Sequence, residues 1–260
     1  MALNDEINIT IVGSGTCMPS AHRGSPCIAI RFQTHYFLFD IGPGSLRSLS
    51  GLGINFDILE GIWITHFHPD HTADLAHFLF ATKYPKIFQT RRPFSIMGPS
   101  GLKRFLNQLQ SAYSPYLDLP KGLLRVQEVP PNDKVPVSWK DLSFKVASSN
   151  HTGESIAIRM ETPAGKAIVY TGDTDFSQDI IRLSDSADVL IVEASFPEEE
   201  KVKGHLTPVE AGTIAREAGV KKVVLMHFYP ECLGTDIGGA CRKNFEGEIV
   251  VASDSLNLIV

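Results

Sequence analysis

The seven residues from Thr65 to His71, THFHPDH, bring three imidazoles and a carboxylate into one short stretch. His66 and His68 are two positions apart, so in an extended segment both rings point the same way and can reach one ion. Pro69 interrupts that segment, and Asp70 and His71 then open the next element facing a different direction. One motif can therefore serve two neighbouring metals. The bland alternative is a loop of hydrogen-bonded surface histidines. An aspartate inside the run and an apolar stretch directly before it speak against that alternative.

Two ions need more donors than this motif supplies, and the rest of the chain offers them in a repeated pattern. Strand-like apolar runs end in residues able to bind metal: FLF before Asp40, GIWIT before His66, LSFKVASSN before His151, AIVYTG before Asp173, VLIV before Glu193 and KKVVLM before His227. A sheet fixes where such a residue starts, and the loop that follows exposes it, so these endings suggest a shared cleft. His151 is a candidate third nitrogen beside His66 and His68, and His227 a candidate partner for Asp70 and His71. Asp173, next to Gly172, can bridge both ions through its two carboxylate oxygens. Mixed imidazole and carboxylate donors suit zinc, with manganese or iron as alternatives. The chemistry such a pair of ions supports is hydrolysis by an activated water, with Asp70 as ligand and proton acceptor. Asp40 is placed behind the ligands, holding a metal-facing histidine in the right tautomer.

The elements that must position these groups are legible from hydrophobic pattern. Short β-branched runs such as INITIV, CIAIRF, FSIMG, SIAIRM and EIVVAS recur from end to end and read as strands. Leu75, Phe78, Leu79 and Thr82, then Leu102, Phe105, Leu106 and Leu109, lie at helical spacing. The segment LTPVEAGTIAREAGV has Thr207 as cap, Pro208 in the first turn, Glu210 to complete a capping box and Gly219 to end it. Many strands and few helices in two similar halves predict an α+β chain built as a four-layer αββα sandwich. No linker composition separates the halves, so the expectation is one domain over residues 1–260 with halves of about 1–140 and 141–260.

Bulk properties narrow the partners. The chain has 260 residues, 43% of them hydrophobic, and 24 basic against 29 acidic side chains give a net charge of −5. No global basic field attracts nucleic acid, and the local group Lys83, Lys86, Arg91 and Arg92 reads as a solvated loop. The start, MALNDEINITIVGSG, lacks a secretory pattern and no apolar run is long enough to span a bilayer, so a cytoplasmic protein without membrane contact is expected. Cys17, Cys27, Cys232 and Cys241 show no zinc or disulfide spacing. The apolar C-terminal LNLIV reads as an edge strand able to pair across a homodimer or within one subunit.

These motifs together resemble the metallo-β-lactamase superfamily over nearly the whole chain. THFHPDH is similar to its signature motif, FDIGPG to its early aspartate motif and GDTD to its bridging-aspartate motif. The resemblance implies the αββα fold, one ion on His66, His68 and His151, a second on Asp70, His71 and His227, and Asp173 between them. Within the superfamily the likeness is nearest to tRNase Z and related phosphodiesterases, carried by the segment from Val192 to Phe228. It implies that His205 is an additional catalytic histidine beside the N-terminus of the helix near Thr207, oriented by Glu193. Two features depart from tRNase Z: FYPEC follows His227 in place of Ser-Pro-Arg-Tyr, and the stretch between His151 and Asp173 is too short for a tRNA-gripping arm. Residues 84–93 or 111–121 could form only a small flap. The expected substrate is therefore a small phosphodiester or ester rather than tRNA. Lactonase or arylsulfatase chemistry at the same site is the alternative, and an RNA-binding or scaffold protein on an inherited fold is the non-enzymatic one.

Overall fold

A computed structural model describes residues 5–131 and 136–260; the first four residues of the N-terminal stretch considered above lie outside them. Among the described residues the strands form two seven-stranded sheets. The first contains β1 (Ile7–Gly13), β2 (Cys27–Phe32), β3 (His35–Phe39), β4 (Gly61–Trp63), β5 (Phe94–Gly98) and β6 (Leu124–Glu128). The second contains β7 (Val137–Trp139), β8 (Leu142–Ser148), β9 (Ile156–Glu161), β10 (Ala167–Tyr170), β11 (Val189–Glu193), β12 (Lys222–Met226) and β13 (Glu248–Val251). The last strand, β14 (Leu256–Ile259), returns to the first sheet and pairs antiparallel with β1 inside the same chain. Strand order is β14-β1-β2-β3-β4-β5-β6 in one sheet and β13-β12-β11-β10-β9-β8-β7 in the other.

Near-continuous apolar runs form the central strands because both faces of each sheet are covered. Ile28, Ile30, Phe37, Phe39 and Trp63 face Phe144, Ile158, Ile168, Tyr170 and Ile191 in one core between the sheets. Trp63 stacks on Phe144 with centroids 4.9 Å apart, and Phe39 on Tyr170 at 6.0 Å, so aromatic pairs cross the seam. The alternate residues Ala29, Leu38 and Ile62 pack outward against α1 (Ser45–Gly51) and, past the single turn α2 (Pro69–Thr72), α3 (Asp74–Thr82) and, past the short α4 (Pro85–Phe88), α5 (Leu102–Ala112). On the other side Val169, Leu190 and Val223 pack against α6 (Gln178–Leu183), α7 (Pro208–Glu217) and, past α8 (Pro230–Leu233), α9 (Ile237–Arg242). The four layers are helix, sheet, sheet, helix, as the sequence predicts. The capping box on α7 is present with both of its hydrogen bonds.

Direction matters more than layering for the site. Strands β3, β4 and β5 are mutually parallel, as are β10, β11 and β12. Strand β8 reaches the same orientation through two antiparallel steps across β9. All six ligand-type strand endings therefore emerge at one edge of the sandwich, where open parallel sheets place their ligands.

The opposite edge carries an inter-sheet clamp. Lys140, in the β7–β8 turn, donates to Glu60 at 2.8 Å, and His35 Nδ1 lies 3.1 Å from the same carboxylate. Burial pushes the Glu60 carboxyl up, but the bonds from Lys140 and His35 outweigh it and hold the group below its ordinary value. A carboxylate depressed on folding stabilises above its unfolded pKa, and the contribution disappears as pH falls through the folded one. Lys140→Met should therefore lower stability by about 0.5 kcal/mol at pH 7. That difference in urea midpoint should close as the pH drops below about 4. A gap of constant size across that range would remove the assigned linkage.

One sequence expectation fails here. Arg91 is not part of a solvated basic loop. It is buried, donates to the Asp57 carbonyl and lies 4.3 Å from the Phe94 ring centre, so burial pushes its guanidinium down to about 10. Stacking on Phe94 and Phe78 gives its planar head a place that a lysine could not take.

Candidate active site

After β4 the chain continues extended through Thr65 and the buried His66 to His68, which stands at the position before α2 without a side-chain cap. Pro69 occupies the first helical position, where its missing N–H costs nothing, and the single turn swings Asp70 and His71 inward. Two of the site's residues have left-handed backbones that non-glycine residues rarely adopt: Asp40 at φ 56° and His227 at φ 59°. The His227 amide donates to the Ser14 carbonyl at 2.9 Å, which holds the turn after β12 in place.

Two donor groups result. The ligating atoms of His66, His68, His151 and Asp173 lie within 4.8 Å of one another, and those of Asp70, His71 and His227 do likewise. Asp173 faces both. Its Oδ1 lies 3.2 Å from His71 Nε2 and 3.3 Å from His227 Nε2, while its Oδ2 lies 3.8 Å from His66 Nε2 and 3.7 Å from His151 Nε2. Asp70 Oδ2 completes the second group at 3.7 Å from His71 and 3.6 Å from His227. His66 Nε2, His71 Nε2, His227 Nε2 and Asp173 Oδ1 are buried without any hydrogen-bond partner. Four converging polar atoms without partners are costly in a native interior, and lone pairs of this kind fit divalent metal ions, which would satisfy them. A third grouping joins His205 to Asp173 and His227. The His205 nitrogen closest to Asp173, Nδ1 at 4.0 Å, is the one engaged by Glu193, so it is not free to ligate.

Electrostatics follow from this crowding. Burial, followed by the neighbouring imidazole of His71, pushes His66 well below its ordinary value. Burial opposes protonation of His71 too, but Asp173 and Asp40 overcome it and raise that ring well above its usual range. Asp173 is driven well down by His227 and His71 despite complete burial. The pocket is built around concentrated negative and lone-pair density, which suits a cation.

Behind the ligands, two carboxylates each serve a pair of rings. Asp40 Oδ2 accepts from His71 Nδ1 at 2.7 Å, from the Tyr170 hydroxyl at 2.9 Å and from the Thr65 hydroxyl at 2.9 Å. With its proton given to Asp40, the Thr65 oxygen accepts from His66 Nδ1 at 3.0 Å. Glu193 repeats the arrangement: His205 Nδ1 lies 3.1 Å from Oε1, Ser195 donates to Oε2, and the Ser195 oxygen lies 3.0 Å from His227 Nδ1. His151 Nδ1 bonds instead to the Gly204 carbonyl at 2.9 Å. For His66, His71, His151 and His227 these contacts place a proton on Nδ1 and leave Nε2 as the nitrogen that faces the cleft. Burial lowers His205, yet its hydrogen bond to Glu193 raises it above the ordinary histidine value.

Residues 35–228 match the family model of the Beta-lactamase superfamily domain. The chain belongs to that superfamily. Its fold is shared by the metallo-beta-lactamase fold protein YhfI from Bacillus subtilis, with a TM-score of 0.85 at 22% identity over 99% of this chain and 100% of that one. The short form of human tRNase Z superposes with a TM-score of 0.77 at 24% identity, covering 96% and 98% of the two chains. Among sequence relatives, Ribonuclease Z of Brevibacillus brevis is 27% identical over 85% of each chain. Ribonuclease Z of Archaeoglobus fulgidus is 27% identical over 97% of each.

Within this superfamily member, the structure adds residues that the sequence pattern did not offer. Thr65, Ser195 and Tyr170 carry no such signal of their own, although Thr65 sits inside the motif and Ser195 lies two residues after Glu193. Gly172 has φ 56°, and a Cβ there would come within 2.7 Å of the Thr65 side chain, so glycine permits the close seam contact that Thr65 needs. Near the ligand-type residues in sequence, Phe67 stacks on Phe105 at 5.0 Å and Phe176 packs beside the α6–α7 core. Tyr229 stacks on Phe196 at 4.5 Å and sets its edge toward His205 and His227, both at 5.8 Å, forming an aromatic wall beside the site. The exposed Cys17 approaches the Tyr229 hydroxyl at 3.4 Å, while Cys27, Cys232 and Cys241 are buried; none stands among the ligand-type residues. No helix among the described residues is long and apolar enough to cross a membrane.

Proposed function

We propose that this chain is a dinuclear metal-dependent hydrolase that cleaves phosphodiesters. The observation that carries the reading is Asp173 set between two complete donor groups, with a buried histidine, His205, standing beside them on its own carboxylate. His66, His68 and His151 would hold one ion, Asp70, His71 and His227 the other, and Asp173 both. Zinc suits these imidazole and carboxylate donors, with manganese or iron as alternatives. When bound, the two ions supply a water of lowered pKa and positive charge for the phosphoryl oxygens. Asp70 accepts the proton of the attacking water and fixes its direction. His205, held protonated by Glu193 and close to the N-terminus of α7, steadies the developing negative charge and gives a proton to the leaving oxygen. Asp40 keeps His66 and His71 in the tautomers ligation requires.

Substrate size is the finer question. The relatives are named Ribonuclease Z, which favours an RNA phosphodiester and weighs against the compact substrate expected from the acidic balance. The segment between His151 and Asp173 favours the compact one: strands β9 and β10 fill it as a tight hairpin. A panel of bis-p-nitrophenyl phosphate, p-nitrophenyl acetate, p-nitrophenyl sulfate, a lactone and a precursor tRNA separates these readings. The phosphodiester should be hydrolysed, chelator should abolish the rate, and zinc or manganese should restore it. Faster turnover of the acetate, sulfate or lactone would sink the phosphodiesterase reading, and cleavage of the precursor tRNA at the higher kcat/KM would select RNA.

A further inference from the structure

The second aspartate of GDTDF lies two residues past Asp173, and its contacts run toward the loop before α7. Asp175 Oδ1 accepts from Lys201 Nζ at 2.7 Å and from the Phe176 amide at 2.8 Å, while Oδ2 accepts from the Gly204 amide at 2.9 Å. Lys201 also bonds Glu210, the residue that closes the capping box of α7. The backbone of Asp175 pairs with Asn150, the residue just before His151. The Asp175 backbone thus joins the approach to His151, and its carboxylate joins the loop 201–206 to the start of α7 through Lys201.

That loop performs two tasks at adjacent positions. The Gly204 carbonyl accepts from His151 Nδ1 at 2.9 Å and so sets which nitrogen of His151 faces the cleft. The next residue is His205 itself, whose amide bonds the Val202 carbonyl at 3.2 Å. Gly204 sits at φ 91°, and a Cβ there would stand 3.3 Å from His151 Nδ1, so the loop is pressed against the ring with no side chain between. A peptide carbonyl can hold an imidazole only as well as its own loop is held, and Asp175 is what bonds the Gly204 amide.

We infer that Asp175 is a positioning residue that couples the first ion's His151 to His205 through the Gly204 peptide. The inference deepens the proposed dinuclear site and rests on it. Its consequence is asymmetric: loss of Asp175 weakens the ion on His66, His68 and His151, whereas the ion on Asp70, His71 and His227, whose rings are held by Asp40 and Ser195, stays as tight as before.

Stepwise zinc uptake by metal-stripped protein, in competition with a chromogenic chelator, tests this without using turnover. The parent should show two binding steps. Asp175→Ala should weaken one step about 10-fold and leave the other in place. Lys201→Met, which keeps the Asp175 contact to Gly204 but removes the clamp to α7, should move the same step less. It stands in if Asp175→Ala does not fold. Two steps at parent affinity would overturn the inference, as would equal weakening of both steps with a lowered melting temperature, the mark of a merely structural role. A parent that takes up no zinc would instead remove the dinuclear reading, and the inference with it.

Discussion

Asp173→Ala should lose bound metal and activity together, keeping less than one ion per chain after dialysis and hydrolysing bis-p-nitrophenyl phosphate at least about 100-fold more slowly than the parent. The expectation follows from where its two oxygens sit. Oδ1 is 3.2 Å and 3.3 Å from the two imidazoles of one group, and Oδ2 is 3.7 Å and 3.8 Å from two imidazoles of the other. Among the described residues Asp70, by contrast, forms ion pairs with His71 and His227 of the second group alone. Removing Asp173 also withdraws a negative charge that would offset the positive charge of bound cations. Elemental analysis beside the rate assay checks the result. Retention of about two ions by the alanine variant would show that Asp173 is not the bridge.

His205→Ala should behave in the opposite way, keeping both ions while turnover falls by about 10²- to 10⁴-fold, the range of a lost general acid or base. The ring is almost fully buried, and its Nδ1 is committed to Glu193 at 3.1 Å. KM should change little, because the role assigned to the ring lies in the transition state rather than in holding bound substrate. Glu193→Gln makes the sharper comparison. That carboxylate also accepts from Ser195, from the Thr174 amide at 2.7 Å and from the Leu206 amide at 3.0 Å. Its loss should therefore disturb His227 as well as His205 and weaken metal binding along with turnover. A His205→Ala protein as fast as the parent would refute the assigned role outright.

What could be read from sequence alone divides by the range of the interaction. The strand runs are legible because burial on both faces makes them continuously apolar, and α7 because Thr207, Pro208 and Glu210 announce its start within four residues. THFHPDH is legible because extended chain, proline and a helical turn act on neighbours. Thr65, Ser195 and Tyr170 are not, because each matters through a partner far along the chain: the Tyr170 hydroxyl meets Asp40 across 130 positions. Gly204 contributes a carbonyl, which every residue has, so no side-chain pattern can advertise it. Strand β7 has three residues and no room to display a period. Arg91 misled because charge usually marks a solvated surface, and only the fold reveals the two aromatic rings on which it lies.

The paired carboxylates have a consequence for how this cleft can diverge. Asp40 leaves β3 of one sheet and Glu193 ends β11 of the other, so each half of the sandwich carries its own wiring. One hub governs His66 and His71, the other His205 and His227. Substitutions around Glu193 can retune proton delivery and leaving-group preference while the Asp40 side keeps its geometry. New specificities are open to such a scaffold by altering one hub at a time, with the untouched half preserving a foothold for metal throughout.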